Sequence, residues 1–283
     1  MIRQYLSLIR IHHWVKNLLI FFPLLLSFNE YSDDSIINSV YVFISFCFMA
    51  SGIYIFNDIQ DIITDKENNR TKNRPIANGI ISKNTGYILS ILFIIFSLFI
   101  LIIFIPKCLN YLLLYLIINI LYSLYLKYVI ILDILSVSLG FIIRIVAGGV
   151  AADIEQSIWA LLIVSFSSIS LATGKRLGQI VINHKYVSAN WNKSLLKIIL
   201  LISIFLTLFS YGLFSLDADV AIRHESDMIW ISFPLFIAIF LRYLNIAWKG
   251  MYLGDPTDSI LKDRLLQFLS FIWSIIIFYI FII

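Results

Sequence analysis

Apolar runs of near-membrane length recur along the whole chain, and no other feature limits its fold as severely. A helix rises 1.5 Å per residue, so a hydrocarbon layer about 30 Å thick takes about 20 residues. Nine such blocks are expected, at about 17–28, 36–56, 86–105, 109–125, 129–151, 158–173, 195–216, 228–248 and 265–283. The fourth and fifth almost touch, so a tight turn near Lys127 is expected between them. Charged residues are 13% of the chain, against roughly 25% in soluble domains, and no stretch between blocks has room for a separate soluble domain. The expectation is a single all-α, polytopic membrane domain of nine transmembrane helices over residues 1–283.

Lysine and arginine orient the spans, because cytoplasmic loops carry an excess of them. With the N-terminus in the cytoplasm, all but three of the 21 basic residues fall on the cytoplasmic side. The exceptions are Lys107, Arg223 and the intramembrane Arg144. The opposite loops are acidic, with Glu30, Asp33, Asp34, Asp153, Glu155, Asp217, Asp219, Glu225 and Asp227. Nine spans put the C-terminus outside, and the membrane is read as the cytoplasmic (inner) one. The segment before the first block reads as retained protein rather than a cleaved leader. Cys47 and Cys108 form neither a metal-ligand spacing nor a disulfide framework.

The second block runs into Asn57-Asp-Ile-Gln-Asp-Ile-Ile-Thr-Asp65. Asn57, Asp61 and Asp65 recur every four residues, so on a helix they stack on one face about 6 Å apart. Hard oxygen ligands of this kind suit Mg²⁺, which also binds substrate phosphates. Asp58 lies at the edge of the set, and Arg70, Lys72 and Arg74 follow at once. Carboxylates to hold a metal and cations to hold phosphate oxygens together suit a metal-bound diphosphate. The plainer alternative is a solvated helix end, but polar groups closing an apolar span are costly and usually functional.

The stretch NDIQDIITDKENNRTKNRPIANG resembles the first aspartate-rich motif of the UbiA superfamily of intramembrane prenyltransferases. That resemblance implies a nine-helix bundle whose polar, cytoplasm-facing cavity binds a Mg²⁺-diphosphate. Superfamily members that prenylate aromatics carry a second aspartate-rich motif after the sixth span. Here Thr173-Gly-Lys-Arg176 stands at that place, with no carboxylate. One branch is matched from His13 to Gln267. The matching segments are His13-Trp-Val-Lys-Asn17, Lys72-Asn-Arg-Pro-Ile-Ala77, Leu132-Asp-Ile-Leu135, Arg144-Ile-Val-Ala-Gly-Gly149, Gly254-Asp-Pro-Thr-Asp258 and Asp263-Arg264. These are similar to decaprenyl-phosphate phosphoribosyltransferases, whose donor is phosphoribosyl pyrophosphate (PRPP) and whose acceptor is a polyprenyl phosphate.

The resemblance implies Asp58, Asp61 and Asp65 as catalytic residues, with Asn57, Asp61 and Asp65 holding Mg²⁺. It implies substrate binding by Lys16, Asn57, Lys72, Arg74, Tyr122, Lys127, Arg144, Lys175 and Arg176. Arg144 is expected to pair with Asp133 through intervening groups or to bind a phosphate, since a charge within a span needs a partner or water. Asp263 is expected to cap the last helix. No nucleic-acid partner is implied, and the oligomeric state stays open. A prenyl transfer to an aromatic acceptor is the rival enzymatic reading. A transporter is the rival of another class, but it would place charges at mid-membrane in both halves.

Overall fold

The computed structural model describes residues 2–26, 32–69, 71–181, 192–223, 226–251 and 262–282. Arg70, Asp258 and the segment 254–258 lie outside the described residues. Every regular element among the described residues is helical. The chain divides into two compact units, Met1–Leu25 with Asn29–Val129 and Ile143–Glu155, and Leu26–Phe28 with Ile130–Ile142 and Gln156–Ile283.

In the first unit, α1 (Ile2–Ile9) leads into a 3₁₀ stretch (Ile11–Phe21) and the short α2 (Phe22–Leu25). Then come α3 (Asp33–Gln60), α4 (Ile62–Glu67), α5 (Lys83–Phe104) and α6 (Leu109–Leu124). Ser32 and Ser35 form a reciprocal cap that starts α3. Helix α3 is the most buried of the apolar helices. Its Phe46, Met49 and Ile53 pack with Leu101 of α5, Leu112 of α6 and Ile143 and Ala147 of α7 (Ile130–Ala152). Small residues bring α3 and α5 together: the Ser45 and Ser97 hydroxyls lie 3.0 Å apart, and Ser90 donates to the Gly52 carbonyl at 2.7 Å. A Cβ on Gly52 would stand 2.9 Å from the Ser90 carbonyl oxygen.

The second unit holds the first half of α7, then α8 (Ile158–Val181), α9 (Lys193–Leu216), α10 (Ala218–Arg223), α11 (Phe233–Lys249) and α12 (Arg264–Ile282). Leu177 of α8, Leu196 and Leu200 of α9 and Tyr243 of α11 share one core. Tyr211 stacks on Phe236 at 3.9 Å and anchors a second core with Trp273. Gly174 lets α11 approach α8, since a Cβ there would lie 2.1 Å from the Tyr243 hydroxyl.

Seven helices among the described residues are long and apolar enough to cross a membrane, and Arg264–Ile280 is a shorter apolar helix. Leu92, Ile95, Phe99 and Ile102 stand exposed along α5, an apolar surface that water would penalise and lipid accepts. The first expected block is instead 3₁₀ structure and one short helical turn, and its last residues, 27–28, lie outside the described set. The tight turn between the fourth and fifth blocks is the 3₁₀ turn Leu126–Tyr128. The sixth block was expected to end at 173. In fact α8 continues to Val181, so Lys175 and Arg176 lie within the helix. Polar residues end an apolar run without ending the backbone ladder.

Candidate active site

Helix α3 outlasts its apolar block, so Asn57 and Asp58 are still helical. Asp61 breaks the helix at φ −92°, ψ 10°, and α4 begins one residue later. The i→i+4 ladder nevertheless continues, with the Asp61 amide on the Asn57 carbonyl at 2.9 Å and the Asp65 amide on the Asp61 carbonyl at 2.8 Å. The four-residue register expected for these three side chains therefore survives the break.

The connection after α4 brings the cations. Thr71 donates to the Asp65 carbonyl at 3.2 Å, and Arg74 sits in a series of tight turns over 68–78. Ile76 and Ile81 pin this connection into a cluster with Leu8, Ile55, Ile59 and Ile62. Gly86 admits it, because a Cβ there would press on Ile59 and Ile76 at 3.1 Å. Arg74 then reaches two carboxylates at once, Asp65 at 2.7 Å and Asp58 at 3.1 Å. Arg10 approaches the same oxygen of Asp58 at 2.5 Å. Lys127, from the 3₁₀ turn after α6, pairs with Asp61, which also accepts from Asn57 Nδ2 at 2.9 Å.

The carboxylates are thus divided into two sets. Asn57 and Asp61 form one with Lys127; Asp58 and Asp65 form the other, bridged by Arg74. Asp65, expected beside Asn57 and Asp61 as a third ligand, turns its carboxylate to Arg74 instead, because an arginine with two carboxylates in reach satisfies both. Among the described residues no three His, Cys, Asp or Glu side chains gather closely enough to hold a metal alone. Asn57 Oδ1, however, is buried and accepts no hydrogen bond. A buried oxygen of that kind needs a partner. Together with Asp61 it offers hard oxygens to a cation such as Mg²⁺, which usually takes one or two protein ligands and fills the rest with water and phosphate oxygens.

The remaining expected residues fall in different surroundings. Lys72 is exposed and donates to Asn69 at 3.0 Å. Tyr122 is half-buried on α6, and Lys16 is half-buried on the 3₁₀ stretch. Arg144, expected to act with Asp133 through intervening groups or on a phosphate, is buried on α7. It donates to Asn17 Oδ1 at 2.6 Å and to the Tyr115 hydroxyl at 2.8 Å, with its guanidinium 4.6 Å from the Tyr115 ring centre. Asp133 is instead taken by both Nε and Nη2 of Arg176, a bidentate pair within the second unit, and Arg176 also donates to Gln179 at 2.5 Å. Eleven residues along α7 turn Asp133 and Arg144 to the same side but carry them far apart along the axis, about 16 Å at 1.5 Å per residue. By its sequence position Arg10 is only one more basic residue before the first apolar block. Its side chain reaches 48 residues ahead to Asp58, a contact that no local spacing signals. Asp263 caps α12 as expected, accepting from the Leu266 amide at 2.8 Å, and also pairs with Arg242 at 2.6 Å.

The sequence profile of the UbiA prenyltransferase family matches residues 18–176, more than half of the chain. This chain belongs to the UbiA prenyltransferase family. It is therefore read as a transferase embedded in a membrane. Its relatives in that family include the decaprenyl-phosphate phosphoribosyltransferase of Mycolicibacterium smegmatis, 33% identical over 94% of this chain and 88% of the relative. The protein of the same name from Corynebacterium glutamicum is 30% identical over 94% of this chain and 82% of its own length. The UbiA fold is also met in solved structures. A UbiA homologue from Archaeoglobus fulgidus bound to DMAPP and Mg²⁺ superposes with a TM-score of 0.72 at 21% identity, covering 98% of each chain. An apo UbiA homologue from Aeropyrum pernix gives 0.69 at 17% identity, covering 96% of this chain and 98% of its own. The resemblance drawn from the aspartate-rich motif and the later basic pair is borne out.

Proposed function

We propose that the protein transfers 5-phosphoribose from PRPP to a polyprenyl phosphate, giving polyprenyl-phosphoryl-5-phosphoribose and pyrophosphate, with Mg²⁺ as cofactor. The observation that carries the reading is the array around Asp61, where an unsatisfied buried amide oxygen lies beside a carboxylate and lysine and arginine stand close by. Two relatives named for this activity, each at least 30% identical along nearly the whole chain, support the choice of substrates.

Asn57 Oδ1 and Asp61 would hold the metal, whose chemistry here is to neutralise charge on the departing pyrophosphate. Lys127, on turning from Asp61, and Arg74, through the nitrogens that its two carboxylates do not engage, bind the donor's phosphate oxygens. Asp58 and Asp65 keep Arg74 oriented for that contact. The bond from the ribose anomeric carbon to pyrophosphate lengthens, and positive charge develops on the ring. An oxygen of the lipid phosphate forms the new bond from the opposite face. That oxygen is anionic at neutral pH, so no protein base is required, and catalysis rests on positioning and electrostatics. Lys16, Tyr122 and Lys72 complete the substrate contacts, Lys72 after turning from Asn69. Lys175 binds a substrate phosphate, whereas Arg176 does so only on leaving Asp133, and Arg144 acts through Asn17 and Tyr115. The same reading places nine spans in the inner membrane, with the N-terminus and the site on the cytoplasmic side.

The test is purified protein with Mg²⁺, radiolabelled PRPP and polyprenyl phosphate. Label appearing in a lipid phosphodiester supports the reading. Turnover of a prenyl diphosphate with an aromatic acceptor, and none of PRPP, overturns it in favour of prenyl transfer.

A further inference from the structure

Arg10 is the residue of the carboxylate network with no role in the reading above. It joins α1 to the 3₁₀ stretch in the left-handed region, at φ 55° and ψ 50°. An L-residue other than glycine is strained there, and such strain persists only where the surroundings impose it. The surroundings here do so from several sides. Leu8 is fully buried in the cluster that also seats Ile76 and Ile81 of the Arg74 connection. The Ile9 carbonyl accepts from Ser51 at 2.9 Å, and Ser51 in turn accepts from the Trp14 indole at 3.0 Å. The Arg10 guanidinium lies 5.1 Å from the Tyr54 ring centre. All these contacts aim it at Asp58 Oδ1, the oxygen that Arg74 also uses.

The side chain of Asp58 is 2% exposed, that of Arg10 14% and that of Arg74 28%. A carboxylate so deeply buried requires a cation. With Arg10 in place, Arg74 makes only the longer contact to Asp58 and remains the more accessible of the two. Without it, Arg74 would be drawn inward to compensate Asp58 alone. We propose that Arg10 is a positioning residue, which neutralises Asp58 from within and so leaves Arg74 available to a phosphate oxygen of the donor. This inference rests on the reading of the site as a diphosphate site.

The experiment is calorimetric titration of the detergent-solubilised full chain, using inorganic pyrophosphate with Mg²⁺ as the probe. Arg10→Gly relieves the backbone strain and removes the charge, and is expected to weaken pyrophosphate binding about tenfold without lowering the unfolding midpoint. Arg10→Lys is expected to recover part of the loss. In an Asp58→Asn background, Arg10→Gly is expected to add nothing, because the effect runs through Asp58. Wild-type affinity in Arg10→Gly overturns the proposal. So does a further tenfold loss in the double variant, which would make Arg10 a direct ligand. Should Arg10→Gly not fold, Arg10→Gln keeps an amide donor on a shorter side chain without the charge, and wild-type affinity there overturns it equally. Pyrophosphate is common to every diphosphate donor. A wild-type protein that binds it yet never transfers phosphoribose sinks the substrate assignment alone; one that transfers phosphoribose and binds as well without Arg10 sinks this inference alone.

Discussion

Asn57 shows how a single atom differs from a motif. Its spacing from Asp61 and Asp65 marks three candidate ligands, but only the tertiary structure separates a buried, unpartnered Oδ1 from a carboxylate engaged by arginine. Asn57→Ala and Asp61→Ala are expected to lower turnover about a hundredfold or more and to abolish the Mg²⁺ dependence of pyrophosphate binding, measured by steady-state kinetics and calorimetry. Wild-type rates in either variant would remove the metal assignment. Arg176 makes a second case. It was expected to meet a substrate anion, yet both of its donors on one edge go to Asp133, whose side chain is 1% exposed. Arg176→Ala is therefore expected to destabilise the fold by about 3–5 kcal/mol by removing the bidentate cation from a buried carboxylate. Lys175→Ala should cost far less. Thermal unfolding of the two variants checks this, and equal midpoints would show that the pair with Asp133 carries no stability.

Among elements, α7 and α8 owe their close contacts to glycine. A Cβ on Gly148 would stand 2.0 Å from the Ile20 carbonyl oxygen, which belongs to backbone and cannot turn aside. Gly148→Ala is expected to cost about 1–3 kcal/mol and to disturb the 3₁₀ stretch carrying Lys16, read as a lowered unfolding midpoint together with a raised KM. Helix α12 is fastened by Asp263, whose carboxyl is held below the usual carboxylate range, first by the hydrogen bond from Arg242 and then by the Leu266 amide, against the opposing effect of burial. A carboxylate depressed in the folded state stabilises above its unfolded pKa and loses that contribution as pH falls through the folded one. Asp263→Asn should therefore lower the unfolding midpoint at pH 7 and converge on wild type in strong acid, below the ordinary aspartate pKa. A constant gap across that range would refute the linkage. The cap of Asp263 was legible as a sequence signal. Its partner Arg242 was not, because pairing 21 residues away depends on how α11 and α12 pack.

For the whole molecule, the one-sided distribution of lysine and arginine makes a sharp expectation. In sealed, oriented membranes, Asn68→Cys should react with an impermeant thiol reagent only from the cytoplasmic side, and Asp219→Cys only from the other. Reversed labelling would overturn the orientation and the location of the site together. All-helical architecture, the turn at Lys127 and membership of the family were legible in the sequence, because hydrocarbon thickness and backbone satisfaction translate directly into block length and composition. The register of Asn57, Asp61 and Asp65 was legible for the same reason, since a helical repeat is a local property that persists across the break at Asp61. The tertiary structure alone decided which charges meet. Arg10 and Lys127 reach Asp58 and Asp61 across 48 and 66 residues, and Arg144 reaches Asn17 across 127. Nor does the sequence reveal that the first block is mostly 3₁₀ structure, which a composition shared with α-helices conceals. Apolar periodicity is written residue by residue along the chain, whereas ion pairing between distant segments follows from packing, and burial then forces each charge onto whichever partner the packing supplies.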